Sequence, residues 1–441
     1  MIPASEYTRR RRELMRELAP NSIAIVAAAH ERIRSRDTHY LFRQDSDFYY
    51  LSGFDEPDAV LVMLPGRAQG EVIFFCRERD PNKEMWDGRR AGPEAMTGQY
   101  DADDAFPIDD IDDILPGLME GRDRVYYSLG RNPTFDSTLM AWINSIRKKT
   151  PMGAQPPEEF VDLDHLLHDM RLYKSDAEIA IMQRAGEISA QAHRRAMQVC
   201  RPGMMEYQLE AEILHTCAMA GARHAAYPSI VGGGANACIL HYVDNNAALQ
   251  DGDLVLIDAG CELLNYASDI TRTFPVNGRF SKEQAALYQV VLDAQYAALQ
   301  EVSPGKDWNA FHVAAVKVLC EGLIDLGLLR GDLDSVIESG AYQEFYMHRT
   351  GHWLGLDVHD VGDYRVGGEW RVLEPEMVLT IEPGLYIAPD NLNVEAKWRG
   401  IGIRIEDDVL VTKEGGRVLT ESVPKSIAAI EALMAEAKNE S

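Results

Sequence analysis

The sequence predicts a mixed α/β protein of two domains, a smaller α/β domain followed by a larger one of α+β type. In residues 1–170, short apolar strand patterns alternate with helical or polar stretches. In residues 171–441, long amphipathic helices predominate, and several strands between them end in acidic residues. A chain of 441 residues is long enough to form two or three hydrophobic cores.

Apolar, β-prone segments predict the strands of the first domain. They are SIAIVAAA (22–29), AVLVML (59–64), EVIFFC (71–76) and RVYYSL (124–129). The segment DADDAFPIDDIDDILPG (101–117) is acidic and interrupted by prolines, so we expect a surface stretch there. We place the domain boundary at about residue 171, where the pattern changes from short strands to a long helix.

Capping signals mark the helices of the second domain. Ser175 and Glu178 form an S-x-x-E capping box before a long amphipathic helix, which residues 201–203 (Arg-Pro-Gly) end. Ser281 and Gln284 predict a second helix start in the same way. Helical spacing is also present in MEYQLEAEILHTCAMAG and WNAFHVAAVKVLCEGLIDLG.

Two segments of the second domain resemble each other. LQDGDLVLIDAG (249–260) and LEPEMVLTIEPG (373–384) align without a gap, so that Asp258 matches Glu382. A match of this length can arise by chance. It is also what a duplicated half-domain would leave, with an acidic residue at the same strand end in each copy.

Composition restricts the classes of partner. The net charge of −26 opposes binding to nucleic acid or anionic membranes. No apolar run approaches the ~20 residues of a membrane helix, and the N-terminus lacks the apolar region of a signal peptide. The six cysteines are scattered without CxxC spacing, which is typical of reduced core thiols. We therefore expect a cytoplasmic protein.

Metal-binding residue types recur late in the chain, at strand ends or in glycine-flanked turns. They are Asp258, Asp269, His352, Glu382 and Glu406. Singly, an acid after a strand is usually a turn or cap residue, and a histidine can be a hydrogen-bonded core residue. Together, four such carboxylates would repel one another unless a cation neutralised them. Oxygen ligands with one imidazole favour a harder ion such as Mn²⁺ over a thiolate-type zinc site.

The motifs that hold these residues resemble a known enzyme class. IDAGCE, YASDITRTFPVNG, HRTGHWLGLDVHD, TIEPGLY and RGIGIRIEDD resemble the creatinase, prolidase and methionine aminopeptidase class of metallopeptidases (M24 type, pita-bread fold), and within it the aminopeptidase P family. RQDSDFYYLSGFDEPDAVLVM and EMWDGRR extend the resemblance to the N-terminal half. The resemblance implies a pita-bread catalytic domain with pseudo-twofold halves, preceded by the smaller α/β domain.

The resemblance also implies a centre of two divalent metal ions, with Mn²⁺ as the expected metal. Asp269 and Glu406 would bridge the ions, Asp258 would chelate one, and His352 with Glu382 would complete the other. Two ions roughly 3.5–4 Å apart can share a water and hold it as a hydroxide for attack on a carbonyl.

Further residues of the same motifs are candidates for catalysis. By resemblance, His241, His348 and His359 would line the substrate pocket and stabilise the tetrahedral intermediate. For each of them the alternative is a buried, hydrogen-bonded histidine. Arg404, two positions before Glu406, would share a strand face with it and could orient a carboxylate, unless it forms a purely structural salt bridge.

The resulting hypothesis is an aminopeptidase that releases the first residue of peptides whose second residue is proline. Proline lacks an N–H and has a fixed φ, so its peptide bond requires a dedicated pocket. Glu382 would carry the proton to the departing proline nitrogen. The alternatives are a prolidase, which cleaves only dipeptides ending in proline, and a non-catalytic binding module of the same fold.

Two features concern assembly and specificity. The resemblance suggests a homo-oligomer, a dimer or a tetramer, assembled partly through the N-terminal domain. Arg349 stands where many relatives carry glycine, and it could alter the loop beside His348 and the fit of longer substrates.

Overall fold

A computed structural model describes the backbone of residues 1–439 and the side chains of residues 1–436. It divides the chain into two compact units, Met1–Arg171 and Leu172–Ser441. Each unit contains its own cluster of buried apolar side chains.

The first unit combines strands and helices in alternation. Its strands are β1 (Ser22–Ala27), β2 (Ile33–Ser35), β3 (Thr38–His39), β4 (Val60–Met63), β5 (Val72–Cys76), β6 (Asp104–Pro107), β7 (Arg124–Tyr126) and β8 (Glu159–Val161). Its helices are α1 (Ala4–Glu17), α2 (Ser46–Ser52), α3 (Pro81–Asp87), α4 (Pro93–Gln99), α5 (Ile111–Met119), α6 (Pro133–Lys148) and α7 (Asp164–Leu172).

Six of these strands form a mixed sheet in the order β6-β5-β4-β1-β7-β8, while β2 and β3 pair only with each other. Both faces of its centre are covered, which explains why β4 and β5 are apolar without alternation. On one face Ile23 and Ile25 pack with Trp142 of α6. On the other, Phe48 of α2 contacts Phe74 edge-on, with ring centroids 6.3 Å apart.

As expected, most residues of the acidic stretch 101–117 are exposed or half-buried, but the stretch also forms regular structure. The segment contributes strand β6, which pairs in parallel with β5, and most of helix α5. Leu115 and Met119 of α5 are fully buried in the core of this unit. The apolar stripe therefore decides the fold of this segment, despite its acidic residues and although Pro116 lies inside the helix.

The second unit contains the longest helices. They are α8 (Asp176–Val199), α9 (Glu206–Met219), α10 (Lys282–Glu301), α11 (Ala310–Asp325), α12 (Leu333–Ser339) and α13 (Ile427–Asn439). Its strands are β9 (His224–Ala225), β10 (Ile230–Gly233), β11 (Leu254–Asp258), β12 (Cys261–Leu263), β13 (Tyr266–Ala267), β14 (Thr271–Pro275), β15 (Arg365–Val366), β16 (Glu369–Trp370), β17 (Val378–Ile381), β18 (Gly384–Ile387), β19 (Ile401–Arg404), β20 (Asp407–Thr412) and β21 (Gly415–Val418).

Both predicted capping boxes are confirmed. The Glu178 carboxylate accepts from the Ser175 N–H over 2.8 Å, and the Ser175 hydroxyl accepts from the Glu178 N–H. Ser281 and Gln284 exchange the same pair of bonds at the start of α10. Each cap satisfies backbone donors that the first helical turn leaves free, and replacing such a cap by alanine typically costs ~1 kcal/mol.

The two similar segments fold in the same way. In the sequence alignment Leu254 corresponds to Val378, and these residues begin β11 and β17. β11 pairs with β14 and β17 pairs with β20, both antiparallel. The second unit therefore contains two equivalent strand pairs, as expected for pseudo-twofold halves.

The cysteines and the helices agree with expectations from composition. All six cysteines are free, and all except the half-buried Cys238 are buried. Among the residues that the structure describes, no helix is both long enough and apolar enough to span a bilayer.

Candidate metal centre

The four candidate carboxylates lie at the same end of the two equivalent strand pairs. Asp258 ends β11, and Asp269 lies two residues before β14. Glu382 directly follows β17, and Glu406 directly precedes β20. The apolar residues of these strands are buried, so each acid emerges where a strand leaves the core.

His352 reaches the same place from a segment that runs beside β17. The carbonyl of His352 accepts from the Thr380 N–H over 2.9 Å, which ties this segment to the strand. The imidazole Nε2 lies 3.4 Å from Oδ2 of Asp269 and 3.7 Å from Oε1 of Glu382. It also lies 4.0 Å from Oε1 of Glu406. Ligand atoms of Asp269, His352 and Glu406 all lie within 4.8 Å of one another.

Tyr227 connects Asp258 to this group. Its hydroxyl oxygen lies 2.6 Å from Oδ1 of Asp258 and 2.5 Å from Oδ1 of Asp269. A phenol has one proton, so it can donate to only one of the two carboxylates at a time. The five residues that the sequence singled out are therefore brought together.

A bound cation would stabilise the ionised carboxylates of this cluster. Burial raises the pKa of Glu406 well above its ordinary value, and the charges of Asp269 and Glu382 add to the effect. Burial likewise raises the pKa of Asp269, with a further contribution from Asp258. Burial raises the pKa of Glu382 to about 7. Without a cation, the four carboxylates cannot all be ionised at neutral pH at low cost.

His352 is oriented as a ligand. Its Nδ1 lies 2.9 Å from the Trp353 carbonyl, so Nδ1–H donates there and Nε2 faces the carboxylates. Burial lowers the pKa of His352, but Asp269 and Glu382 outweigh burial and raise it to about 9. The carboxylates around His352 Nε2 therefore favour a positive charge at this position. Carboxylate oxygens with one imidazole are a donor set that fits divalent metal ions.

Arg404 contacts Asp258, not Glu406. The expectation that Arg404 and Glu406 share a strand face is wrong, because β19 ends at Arg404 and Glu406 precedes the next strand. Its Nη2 donates to Oδ2 of Asp258 over 2.7 Å, and its Nε donates to the Thr271 hydroxyl over 3.1 Å. Thr271 in turn donates to Glu406 over 2.6 Å. Although burial acts to raise it, Arg404 and Tyr227 hold the pKa of Asp258 below its usual range.

The cluster forms one wall of a cavity of about 870 Å³. All three candidate catalytic histidines line it, namely His241, His348 and His359. His241 and His359 are both exposed, and the ring centroid of His359 lies 4.3 Å from that of His352. Within the described residues, neither His241 nor His359 has a hydrogen-bond partner in the protein, so their ring nitrogens are available to a ligand.

His348 differs from the other two histidines. Its Nδ1 lies 2.7 Å from the Arg349 carbonyl and its Nε2 lies 2.9 Å from the Tyr386 hydroxyl. Burial, helped by the charge of Arg404, lowers its pKa to about 4, so the ring is neutral at pH 7. Nδ1–H therefore donates to the carbonyl, and Nε2 accepts from Tyr386.

Comparison with family models decides the class. The model described as metallopeptidase family M24 matches residues 180–413, the part of the chain that holds all five candidate ligands. The chain belongs to metallopeptidase family M24. A second model, described as the aminopeptidase P N-terminal domain, matches residues 7–126.

Individual M24 relatives match along nearly the entire chain. The Xaa-Pro aminopeptidase of Escherichia coli is 46% identical over 100% of this chain and 99% of its own length. That of Haemophilus influenzae is 44% identical, with 98% of each chain covered. Among solved structures, aminopeptidase PepP of Pseudomonas aeruginosa is 64% identical with a TM-score of 0.99, and 99% of each chain is covered. An E. coli aminopeptidase P variant in complex with substrate is 46% identical with a TM-score of 0.97, again covering 99% of each chain.

Sequence reasoning missed Tyr227, and it placed Tyr386 in the pocket wall or the core without a role. Tyr227 lies 31 residues before Asp258, in a segment without a ligand pattern, and only the fold brings the two together. Tyr386 follows Glu382 closely, but its hydroxyl serves His348 and also accepts from Arg404 over 2.9 Å. The period-2 pattern of a strand could have indicated that Tyr386 shares a face with Gly384, but not what its hydroxyl contacts.

A second group of acids and histidine lies outside the M24 domain and does not fit a metal. Asp47, Asp164 and His168 come close together in the first unit. Arg171 and Arg131 already donate to Asp47 over 2.6 Å and 2.5 Å. Although burial acts to raise it, these cations hold the pKa of Asp47 well below its usual range, so its charge is already neutralised.

Proposed function

We propose that this protein is an Xaa-Pro aminopeptidase, a metal-dependent hydrolase that releases the first residue of peptides with proline in second position. The observation that carries the proposal is the convergence of four carboxylates and one imidazole on the wall of a cavity large enough for a short peptide. The 46% identity to the E. coli Xaa-Pro aminopeptidase over the full chain supports the same activity.

We assign the metal ligands as follows. Asp258, Asp269, His352, Glu382 and Glu406 would hold two divalent ions: Asp269 and Glu406 would contact both, Asp258 would hold one, and His352 with Glu382 would hold the other. Mn²⁺ is the proposed metal because carboxylate oxygens dominate the donor set. When bound, such a pair of ions polarises a carbonyl and lowers the pKa of a water so that it can act as a nucleophile near neutral pH.

Glu382 is the proposed proton carrier. Its Oε1 faces His352 at 3.7 Å and its Oε2 faces His348 at 3.8 Å, so the carboxylate lies between the ligand cluster and the cavity. A carboxyl at this position can take a proton from the nucleophile and pass it to the proline nitrogen, which must be protonated before it leaves.

The histidines have different proposed roles. His359 lies beside His352 and its ring is free to donate a hydrogen bond to the oxyanion. His241 contributes to the proline side of the cavity. His348 already uses both nitrogens, so it shapes the pocket and holds Tyr386 against Arg404.

The charge layout explains why the enzyme acts at chain ends. We place the free α-amine of the substrate near Asp258, a carboxylate whose lowered pKa keeps it ionised. An internal peptide bond has no ammonium group to offer there. The aromatic side chains of Trp308, Tyr364 and Trp370 line another part of the cavity and provide apolar surface for the rest of the substrate.

We further propose a cytoplasmic homo-oligomer, a dimer or tetramer, in which residues 1–170 serve assembly and substrate access. The free thiols are typical of a reducing compartment. Helix α3 buries none of its residues and exposes Met85 at 79% and Trp86 at 86%, as expected of a surface that a second copy covers.

Peptides of graded length test the activity. Protein stripped with EDTA should not cleave Gly-Pro-Ala, and added Mn²⁺ should restore cleavage with stoichiometric metal by elemental analysis. Gly-Ala-Ala should be a poor substrate, and Gly-Pro should be cleaved more slowly than Gly-Pro-Ala. A preference for Gly-Pro would indicate a prolidase, and metal-independent cleavage would contradict the proposal.

Glu382→Gln tests the proton carrier separately from metal binding. With metal content matched to that of the unmodified protein, we expect turnover to fall by at least about 100-fold, the usual effect of removing a general acid–base group. Turnover within a few-fold of normal at full metal content would assign the proton to another group.

A further inference from the structure

Arg349 is a positively charged residue in the cavity wall, and its guanidinium has no acidic partner among the described residues. It lines the cavity and is exposed, and the one hydrogen bond that its guanidinium makes within the described residues is to the Asn309 amide oxygen, over 2.5 Å. Surface arginines elsewhere in the chain, such as Arg184 and Arg195, form ion pairs with glutamates. In a chain of net charge −26, acidic residues outnumber basic ones, yet this guanidinium faces the cavity without a carboxylate partner in the part of the chain that the structure describes.

The Arg349 side chain is held in place. Its guanidinium carbon lies 5.1 Å from the centroid of the Trp370 ring, within cation–π distance. Asn309 fixes the guanidinium from another side. The other N–H donors of the guanidinium remain free for a ligand, and a carboxylate can engage two of them at once.

The cavity is therefore polarised. The buried and half-buried carboxylates of the candidate metal centre form one part of its lining, and Arg349 forms an exposed, cationic part. On the proposed function, the substrate amine lies near Asp258, so the residues after proline lead away from the carboxylates.

We infer that Arg349 determines specificity by binding a carboxylate carried by the residues that follow proline in the substrate. The inference rests on the proposed function and names a preference within it. The carboxylate is either the free C-terminus of a short peptide or an acidic side chain. The two sources share one chemistry, and the substrate set below separates them.

Arg365 provides a matched control. Its guanidinium carbon lies 4.0 Å from the centroid of the same Trp370 ring, but Arg365 is not among the residues that line the cavity. Arg365→Gln removes the same charge beside the same ring. It therefore separates a contact made by Arg349 from a general effect of positive charge beside Trp370.

The experiment compares kcat/KM of the Mn²⁺-loaded protein, Arg349→Gln and Arg365→Gln. The substrates are Ala-Pro peptides of three to five residues as free acids and as C-terminal amides, together with Ala-Pro-Glu-amide and Ala-Pro-Gln-amide. We expect the unmodified protein to prefer the anionic member of a pair by about two- to fivefold at low salt, the range of an exposed ion pair. The preference should decrease at 0.5 M NaCl because salt screens exposed charges.

The outcomes are distinct. Loss of the preference in Arg349→Gln but not in Arg365→Gln supports the inference, and the peptide length at which it occurs identifies the C-terminus or the side chain as the source. An unchanged preference in Arg349→Gln at every length overturns it. The inference is also overturned if Arg349→Gln lowers kcat/KM equally for acids and amides, or if Arg349→Gln and Arg365→Gln have equal effects. Arg349 would then only stabilise its loop. If the unmodified protein cleaves none of these peptides, the proposed function itself fails.

Discussion

Arg404 and Asp258 form a buried ion pair across the centre of the site, with Nη2 and Oδ2 2.7 Å apart. The same guanidinium donates to the hydroxyls of Thr271 and Tyr386. Thr271 donates to Glu406, and Tyr386 donates to His348. Arg404 is therefore linked to Asp258 directly, to Glu406 through Thr271 and to His348 through Tyr386. We regard Arg404 as a positioning residue for the ligand cluster.

Arg404→Lys should separate charge from geometry. A lysine retains the positive charge but cannot bond Asp258, Thr271 and Tyr386 at the same time. We expect metal affinity and kcat/KM to fall by about 10- to 100-fold, as for other residues that orient metal ligands. Metal titration and steady-state kinetics check this. Normal values for Arg404→Lys would show that only the charge matters.

Chelation should make the stability of the protein depend on pH. In the metal-free state the pKa of Glu382 is raised to about 7 and that of His352 to about 9. Groups with raised folded-state pKa stabilise the fold below their unfolded pKa, and this contribution is lost as the pH rises through the folded value. The melting temperature of EDTA-treated protein should therefore fall by several degrees between pH 5 and 9, as measured by differential scanning fluorimetry.

Metal-loaded protein is the control for this pH dependence. The bound cations neutralise the carboxylates, so its melting temperature should be higher than that of the chelated protein and should change less between pH 6 and 9. Parallel pH curves for the two forms would show that the cluster is not the origin of the effect.

Asp407 should be essential for stability, although it directs no group at the metal centre. It is fully buried and accepts from Arg272 over 2.6 Å and from Lys425 over 2.7 Å. Asp407→Asn leaves two cations without a counter-ion, which should lower the free energy of unfolding by about 3–5 kcal/mol. Glu187→Gln, which removes an exposed pair with Arg184, should cost no more than about 1 kcal/mol. Urea unfolding compares the two variants, and similar losses would contradict the assignment.

Gly351 should be needed for the position of His352. A Cβ at Gly351 would lie 2.0 Å from the Thr380 carbonyl oxygen of β17, so the His352 segment would have to move. We expect Gly351→Ala to destabilise the protein by about 1–3 kcal/mol, as overpacking does, and to weaken metal binding. Gly98→Ala is the control, because a Cβ there has no neighbour within 4 Å. Unchanged metal affinity in Gly351→Ala would show that the segment can adjust.

Features set by local physics could be predicted from the sequence. The capping boxes of α8 and α10 involve residues three positions apart, and their hydrogen bonds form wherever the chain enters a helix. The apolar strands and the acids at their ends could also be recognised, because each pattern involves residues that are close together in the sequence. Segment 101–117 shows the limit, since its acidic residues and prolines indicated only a surface stretch, while contacts with the rest of the unit made it a strand and a helix.

The acids at the strand ends of two similar segments could be recognised in the sequence, and they predict a metal centre. The roles of the three consecutive acids after Ile405 depend instead on tertiary contacts. Glu406 joins the candidate ligands, Asp407 neutralises Arg272 and Lys425, and Asp408 accepts from the Asp269 N–H over 3.1 Å. Their chemistry is nearly identical, but the partners that distinguish them include Asp269 and Arg272, which lie more than 100 positions away in the sequence. Partners so distant in the sequence leave no local pattern, and they become neighbours only when the core has packed.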